Sequence, residues 1–213
     1  MQDSAPDRPF IRHPIGLMLA VGLTGFGLGV LTAYAQEWLP EQVGSLANSS
    51  GSWCLIAALL ALLATSQLAA AGCGFLSLGT LLAGYIFGAA LRGDPSSMGL
   101  IGFWGLAAVL VGPFLGLGAH WVKTNRPILN AVGAGGISGL LVGEGVYGLA
   151  YIADSTYPPY WWTQIIFGVV LLVWAAAKRL RRPHLVALAV GLNLMVTAAF
   201  VVVAQLNFIA LFP

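Results

Sequence analysis

Residues 128–152 read ILNAVGAGGISGLLVGEGVYGLAYI, with Glu144 as the one charged residue of the run. At a rise of 1.5 Å per residue, a helix of this length reaches about 37 Å, enough to cross a hydrocarbon layer of roughly 30 Å. Gly135, Gly139 and Gly143 recur every fourth residue, which puts them on one helical face where a neighbouring backbone can come close. The stretch therefore reads as a transmembrane helix built for tight contact, with one carboxyl group stranded inside it.

Working outward, the whole chain has the same character. Of its 213 residues 59% are hydrophobic and 8% charged, whereas a soluble domain carries about 25% charged residues. Such a chain has too little polar surface to face water. The hydropathy pattern predicts an all-α polytopic transmembrane bundle as a single domain over 1–213, with a polar tail over 1–14. Seven spans are expected, over about 15–35, 53–71, 74–91, 98–122, 128–152, 161–177 and 184–212. Spans two and three would be joined by a very tight turn at Gly72-Cys73-Gly74, and Pro113 predicts a kink within span four. The apolar run after the tail exceeds a typical signal-peptide core and is read as a retained first span.

Charge orients the spans. Arg8, Arg12, Lys123, Arg126, Lys178, Arg179, Arg181 and Arg182 fall on one side of a seven-span arrangement, and Arg92 alone falls on the other. Basic loops stay in the cytoplasm, so the N-terminus is expected inside and the C-terminus outside, in a multi-pass protein of the plasma membrane. Glu37, Glu41, Asp94 and Asp154 lie on the opposite side with the aromatic group Tyr157 to Trp162. The outer stretch QEWLPEQVGSLANSSGS (36–52) places Leu39, Val43 and Leu46 roughly on one helical face, as in a short helix lying in the interface.

Composition also excludes functions. No basic stripe suited to nucleic acid exists. Cys54 and Cys73 sit in apolar runs without metal-ligand spacing and read as buried free thiols; no cofactor is implied. Gly143-Glu-Gly-Val-Tyr-Gly148 fits a dinucleotide-binding pattern but follows no strand. Gly136-Ile-Ser138-Gly139 fits that of an intramembrane serine protease, yet His13, His120 and His184 all lie near the inner surface. The chain is therefore not expected to be an enzyme.

Glu144 remains as the candidate centre. A carboxyl within a span is expensive and is by default a functional hypothesis. Its position, 16 residues from Ile128, is about 24 Å along the helix, in the outer half of the bilayer. Tyr147 and Tyr151 follow at three and seven residues. Asn193, Thr197 and Gln205 share a face of span seven, with Gln205 nearer the depth of Glu144. One reading groups Glu144, Tyr147, Tyr151, Asn193 and Gln205 around an outward-facing cavity for a small solute or ion. The other makes Glu144 a hydrogen-bonded tie between helices.

Gly25-x3-Gly29, Gly84-x3-Gly88 and Gly112-x3-Gly116 join the repeat of span five as close-packing faces. They serve either the chain's own helices or a membrane partner, including a second copy. The stretches Leu46-Ala-Asn-Ser-Ser-Gly-Ser-Trp53, Gly84-Tyr85 and Gly143-Glu144-Gly-Val-Tyr147 together resemble a family of small bacterial multi-span membrane proteins of unknown function. That resemblance implies a bacterial inner-membrane location and supplies no catalytic residues. Two functions stay open: solute or ion transport through a site at Glu144, and a non-catalytic accessory or assembly subunit of a larger membrane complex.

Overall fold

The computed structural model describes residues 14–206. It is all-α: α1 (Pro14–Trp38), α2 (Glu41–Asn48), α3 (Ser50–Ala61), α4 (Gln67–Leu91), α5 (Met98–Leu110), α6 (Gly112–Val122), α7 (Pro127–Tyr151), α8 (Pro158–Lys178) and α9 (Pro183–Gln205). A 3₁₀ turn at Ala153–Ser155 links α7 to α8. No strand occurs among the described residues. Five helices, α1, α4, α7, α8 and α9, are long and apolar enough to cross a membrane. The pairs α2–α3 and α5–α6 are each broken by a bend, of 59° and 41°, and bring the number of crossings to seven if each pair is one span. Large apolar side chains such as Leu23, Leu68, Phe114, Phe167 and Leu194 are exposed around the bundle, as lipid-facing residues must be.

Each break has a local cause. Pro113 lies in the first turn of α6; it donates no backbone hydrogen bond, and its ring crowds the carbonyl four residues earlier. At the other break Ser49 is extended (φ −82°, ψ 131°), and its Oγ accepts from the Ser52 backbone N–H to cap α3. The Ser52 hydroxyl turns back and donates to Leu46 O at the end of α2.

The turn expected at Gly72-Cys73-Gly74 is instead at 62–66, and those three residues are interior to α4. Ser66 opens α4 by accepting from the Ala69 N–H. Gly74 marks a contact rather than a turn: a Cβ there would lie 2.0 Å from Gly112 O on α6. The described part of the last span ends at Gln205, and the expected stretch from 207 to 212 lies outside the described residues. Cys54 and Cys73 are free and buried, as expected.

The short helix α3 is held at both ends by side chains from other elements. With 12 residues it covers about 18 Å and is too short to be stable alone. At its C-terminal end Lys123, from the end of α6, donates through Nζ to Leu62 O and Ala64 O. A cation there complements the negative end of the helix dipole. Because Lys123 is exposed, Lys123→Met is expected to lower stability by only about 1 kcal/mol, the worth of an ordinary hydrogen bond rather than of a buried charged one. Thermal melting of the purified protein would read this as a loss of a few degrees.

Candidate functional site

At the other end of α3 stands Glu144. Its carboxyl is buried, and Oε2 accepts two hydrogen bonds, from Ser49 Oγ at 2.7 Å and from the Gly51 backbone N–H at 2.8 Å. The first N–H groups of any helix lack intrahelical partners, and an anion or acceptor at that end is favoured by the dipole. Glu144, 93 residues away from Gly51, thus completes the cap that Ser49 begins.

From α8, Gln164 closes the cluster. It is buried, and its Nε2 donates to Ser49 Oγ at 3.2 Å and to the Tyr160 hydroxyl at 2.7 Å. Ser49 Oγ therefore donates once, to Glu144, and accepts twice, from Ser52 N and Gln164. That uses a hydroxyl's full capacity of one donor and two lone pairs. The carboxyl has about four acceptor positions and bonds to Ser49 and Gly51 at one oxygen, so accepting capacity remains there.

Close helix approach fixes these groups in place. A Cβ at Gly145 would lie 2.7 Å from Trp161 O on α8, and one at Gly143 would lie 2.8 Å from Phe200 Cβ on α9. Glycine on both sides of Glu144 lets α7 sit against both neighbours at the level of the carboxyl. Gly51 is equally confined: a Cβ there would lie 2.3 Å from Glu144 Oε2 and 2.9 Å from Gln164 Nε2.

A cavity of about 300 Å³ reaches the helix break at Ser50, although Glu144, Ser49, Tyr160 and Gln164 do not line it. Ser50, between the two donors to Glu144, lines it, as do Leu140, one helical turn before Glu144, and Phe200, which packs over Gly143. Trp104, which forms part of its wall, packs against the buried Trp53 with ring centroids 4.5 Å apart.

The other residues expected near Glu144 lie elsewhere. Tyr147 and Tyr151 stack on each other with centroids 5.3 Å apart, and Tyr151 is exposed. No hydrogen bond joins either ring to Glu144 among the described residues. Asn193 lies at the level of Ser138, six residues or about 9 Å along α7 from Glu144, where its Nδ2 donates to Ser138 Oγ at 2.7 Å; Ser138 in turn donates to Gly168 O at 2.8 Å. With Thr197, which donates to Gly139 O, they form a separate polar tie between α7, α8 and α9. Gln205 is exposed at the end of α9, five residues or about 7 Å past Phe200. The cluster at Glu144 is built from Ser49, Gly51, Tyr160 and Gln164 instead. Ser49 had a legible signal, a serine before an apolar run being a helix-start signature. Gln164 had a weaker one, as a lone amide in an apolar span.

A family model described as "Family of unknown function (DUF6518)" matches residues 8–209. The chain belongs to that family. No curated protein and no solved structure matches the sequence. The DUF6518 match runs across all nine helices, so every residue of the Glu144 cluster lies within the family's extent.

Proposed function

We propose that this DUF6518 protein is a seven-span protein of the bacterial inner membrane, N-terminus inside and C-terminus outside, that binds a small solute or ion at Glu144 in the course of transport. The orientation rests on the eight basic residues that seven crossings collect on one side, with α2–α3 and α5–α6 each counted as one crossing. The observation that carries the function is the buried carboxyl of Glu144, set with Ser49, Gln164 and Tyr160 at the break of a discontinuous helix and beside a cavity. Discontinuous helices within the membrane are where transporters commonly place their binding sites. The proposal assigns the chain no catalytic step.

The accessory-subunit reading drew on free glycine faces. Gly29 and Gly84 face the α4 and α1 backbones respectively, Gly116 faces Ala70 O of α4, and Gly139 faces Asn193 O of α9. These faces are used within the chain, which favours the binding reading over docking through glycine.

Thermal unfolding of the purified full-length protein against alkali and alkaline-earth cations and small polar solutes tests the proposal. A ligand at 100 times its Kd stabilises by about 2.7 kcal/mol, or a rise of about 5 °C or more for a chain of this size. The wild type is expected to respond to at least one compound, and Glu144→Gln, which keeps an acceptor for Ser49 and Gly51, is expected to lose that response. An equal response in both proteins would remove Glu144 from the function.

A further inference from the structure

The Glu144 carboxyl is surrounded by donors and has no counter-cation. Ser49 Oγ and the Gly51 N–H donate to it, and the Ser50 N–H is turned toward it in the same first turn of α3. Helices α3, α6, α8 and α9 pack against α7. From these, Cys54 on α3 and Tyr160 on α8 are the titratable groups near enough to feel the charge of Glu144; both side-chain types are ordinarily neutral at pH 7. His120, Lys178 and His184 lie toward the other ends of α6, α8 and α9. His184, for example, is about 24 Å along α9 from Phe200, which packs over Gly143. The ion pair of Arg92 with Glu37 joins α1 to the end of α4 instead.

That setting discriminates among ions. A hard metal cation exchanges its water for several oxygen ligands, about six to eight for calcium. Here the acid stands alone. No group of three His, Cys, Asp or Glu side chains gathers among the described residues, and Ser49 Oγ has no lone pair left. A metal ion or an ammonium would also face the positive end of the α3 dipole. A proton needs one oxygen lone pair, and it leaves a neutral group where an unpaired charge is costly.

Proton binding also alters the bond to α3. An ionised carboxyl holds Ser49 and Gly51 through charge-assisted hydrogen bonds, roughly twice as strong as neutral ones. The acid form is a weaker acceptor and brings an O–H into a turn already filled with donors. Ser49 is the extended residue of the break, and Asn48 before it is exposed, so the break lies one residue from the surface.

We propose that the ion taken up at Glu144 is a proton, and that its binding releases the start of α3 from α7 and so couples proton uptake to movement at the α2–α3 break. The inference rests on Glu144 as the binding group of the proposed function and names the ion it takes. By linkage, whatever closes the break onto Glu144 expels the proton.

Infrared difference spectroscopy of the full-length protein in phospholipid nanodiscs, made with 13C-labelled glutamate, follows the carboxyl directly. The C=O band of a protonated glutamic acid is expected to titrate between about pH 4 and 9, the range from a free glutamic acid to the most deeply buried ones. Glu144→Gln should remove that band. Glu37→Gln and Glu41→Gln, at the other two glutamates, both exposed, should keep it. The Gly51 amide, in a first turn without intrahelical acceptors, has Glu144 as its partner. Its protection from hydrogen exchange, corrected for the intrinsic effect of pH, should fall about tenfold as the acid form appears, as for one charged hydrogen bond. In Glu144→Gln it should stay at one level. Sodium, potassium and calcium should leave the midpoint unmoved.

A carboxyl that keeps one protonation state across that range overturns the inference. So does a midpoint displaced by a metal cation, or exchange at Gly51 that ignores the titration. The proposed function fails on a different result, a thermal response to solutes that Glu144→Gln shares with the wild type. A solute that stabilises the wild type through Glu144 while the carboxyl does not titrate sinks the proton and leaves the proposed function standing.

Discussion

Gly84→Ala is expected to pry α1 from α4 and to lower stability by about 3 kcal/mol, the upper range for overpacking a tight contact. The added Cβ would lie 2.0 Å from Phe26 O and 2.9 Å from the carbon of that carbonyl. Both atoms belong to the backbone of a neighbouring helix, so no side-chain rotation relieves the clash. From the other side the approach is as close, since a Cβ at Gly29 would lie 2.1 Å from Leu81 O. Alanine improves helix propensity over glycine by about 1 kcal/mol, which offsets only a minor part of the loss. Gly79, on the same helix with nothing within 4 Å of its would-be Cβ, supplies the control. Gly79→Ala should melt at or slightly above the wild-type temperature, and Gly84→Ala about 6 °C or more below it. If the two variants melt together, the α1–α4 crossing does not have this geometry.

The same contrast explains what could be read in advance. The long helices α1, α7, α8 and α9 were legible because a bilayer requires an unbroken apolar run, and their ends coincide with proline or basic clusters. The α3–α4 turn was not, because Leu62-Leu63-Ala64 is as apolar as the helices it joins and Gly72-Cys73-Gly74 resembles a turn. In water a glycine pair signals chain reversal; between lipid-embedded helices it signals close approach, and Gly74 against Gly112 is such a case. For the candidate site, the importance of Glu144 was visible from its isolation, but its partners were not. A helical wheel looks along one helix and so proposed Tyr147 and Tyr151. The real partners come from a helix break 93 residues upstream and from a single amide on α8, a convergence that no periodicity within α7 encodes.

Gly51 gives the most direct handle on that convergence. In Gly51→Ala the new Cβ would be placed 2.3 Å from Glu144 Oε2 and 2.9 Å from Gln164 Nε2. Either the carboxyl or α3 must move. Moving the carboxyl leaves the Gly51 N–H and the Ser49 hydroxyl without their acceptor, and a buried polar group without a partner costs about 1–3 kcal/mol. With two such groups the expected loss is about 3 kcal/mol, together with the ligand response that Glu144→Gln also removes. Glu144→Ala loses the same two hydrogen bonds but also vacates the volume that the Gly51 Cβ would enter. The two substitutions are in contact and should be strongly non-additive: on a Glu144→Ala background only the flexible end of Gln164 is left to give way, so Gly51→Ala should cost much less there than in the wild type, and the double variant should melt near Glu144→Ala alone. Full additivity in that cycle would mean that the end of α3 and the carboxyl on α7 do not touch. Near-complete suppression would place the acid at the helix break, which is the arrangement that the binding role of Glu144 requires.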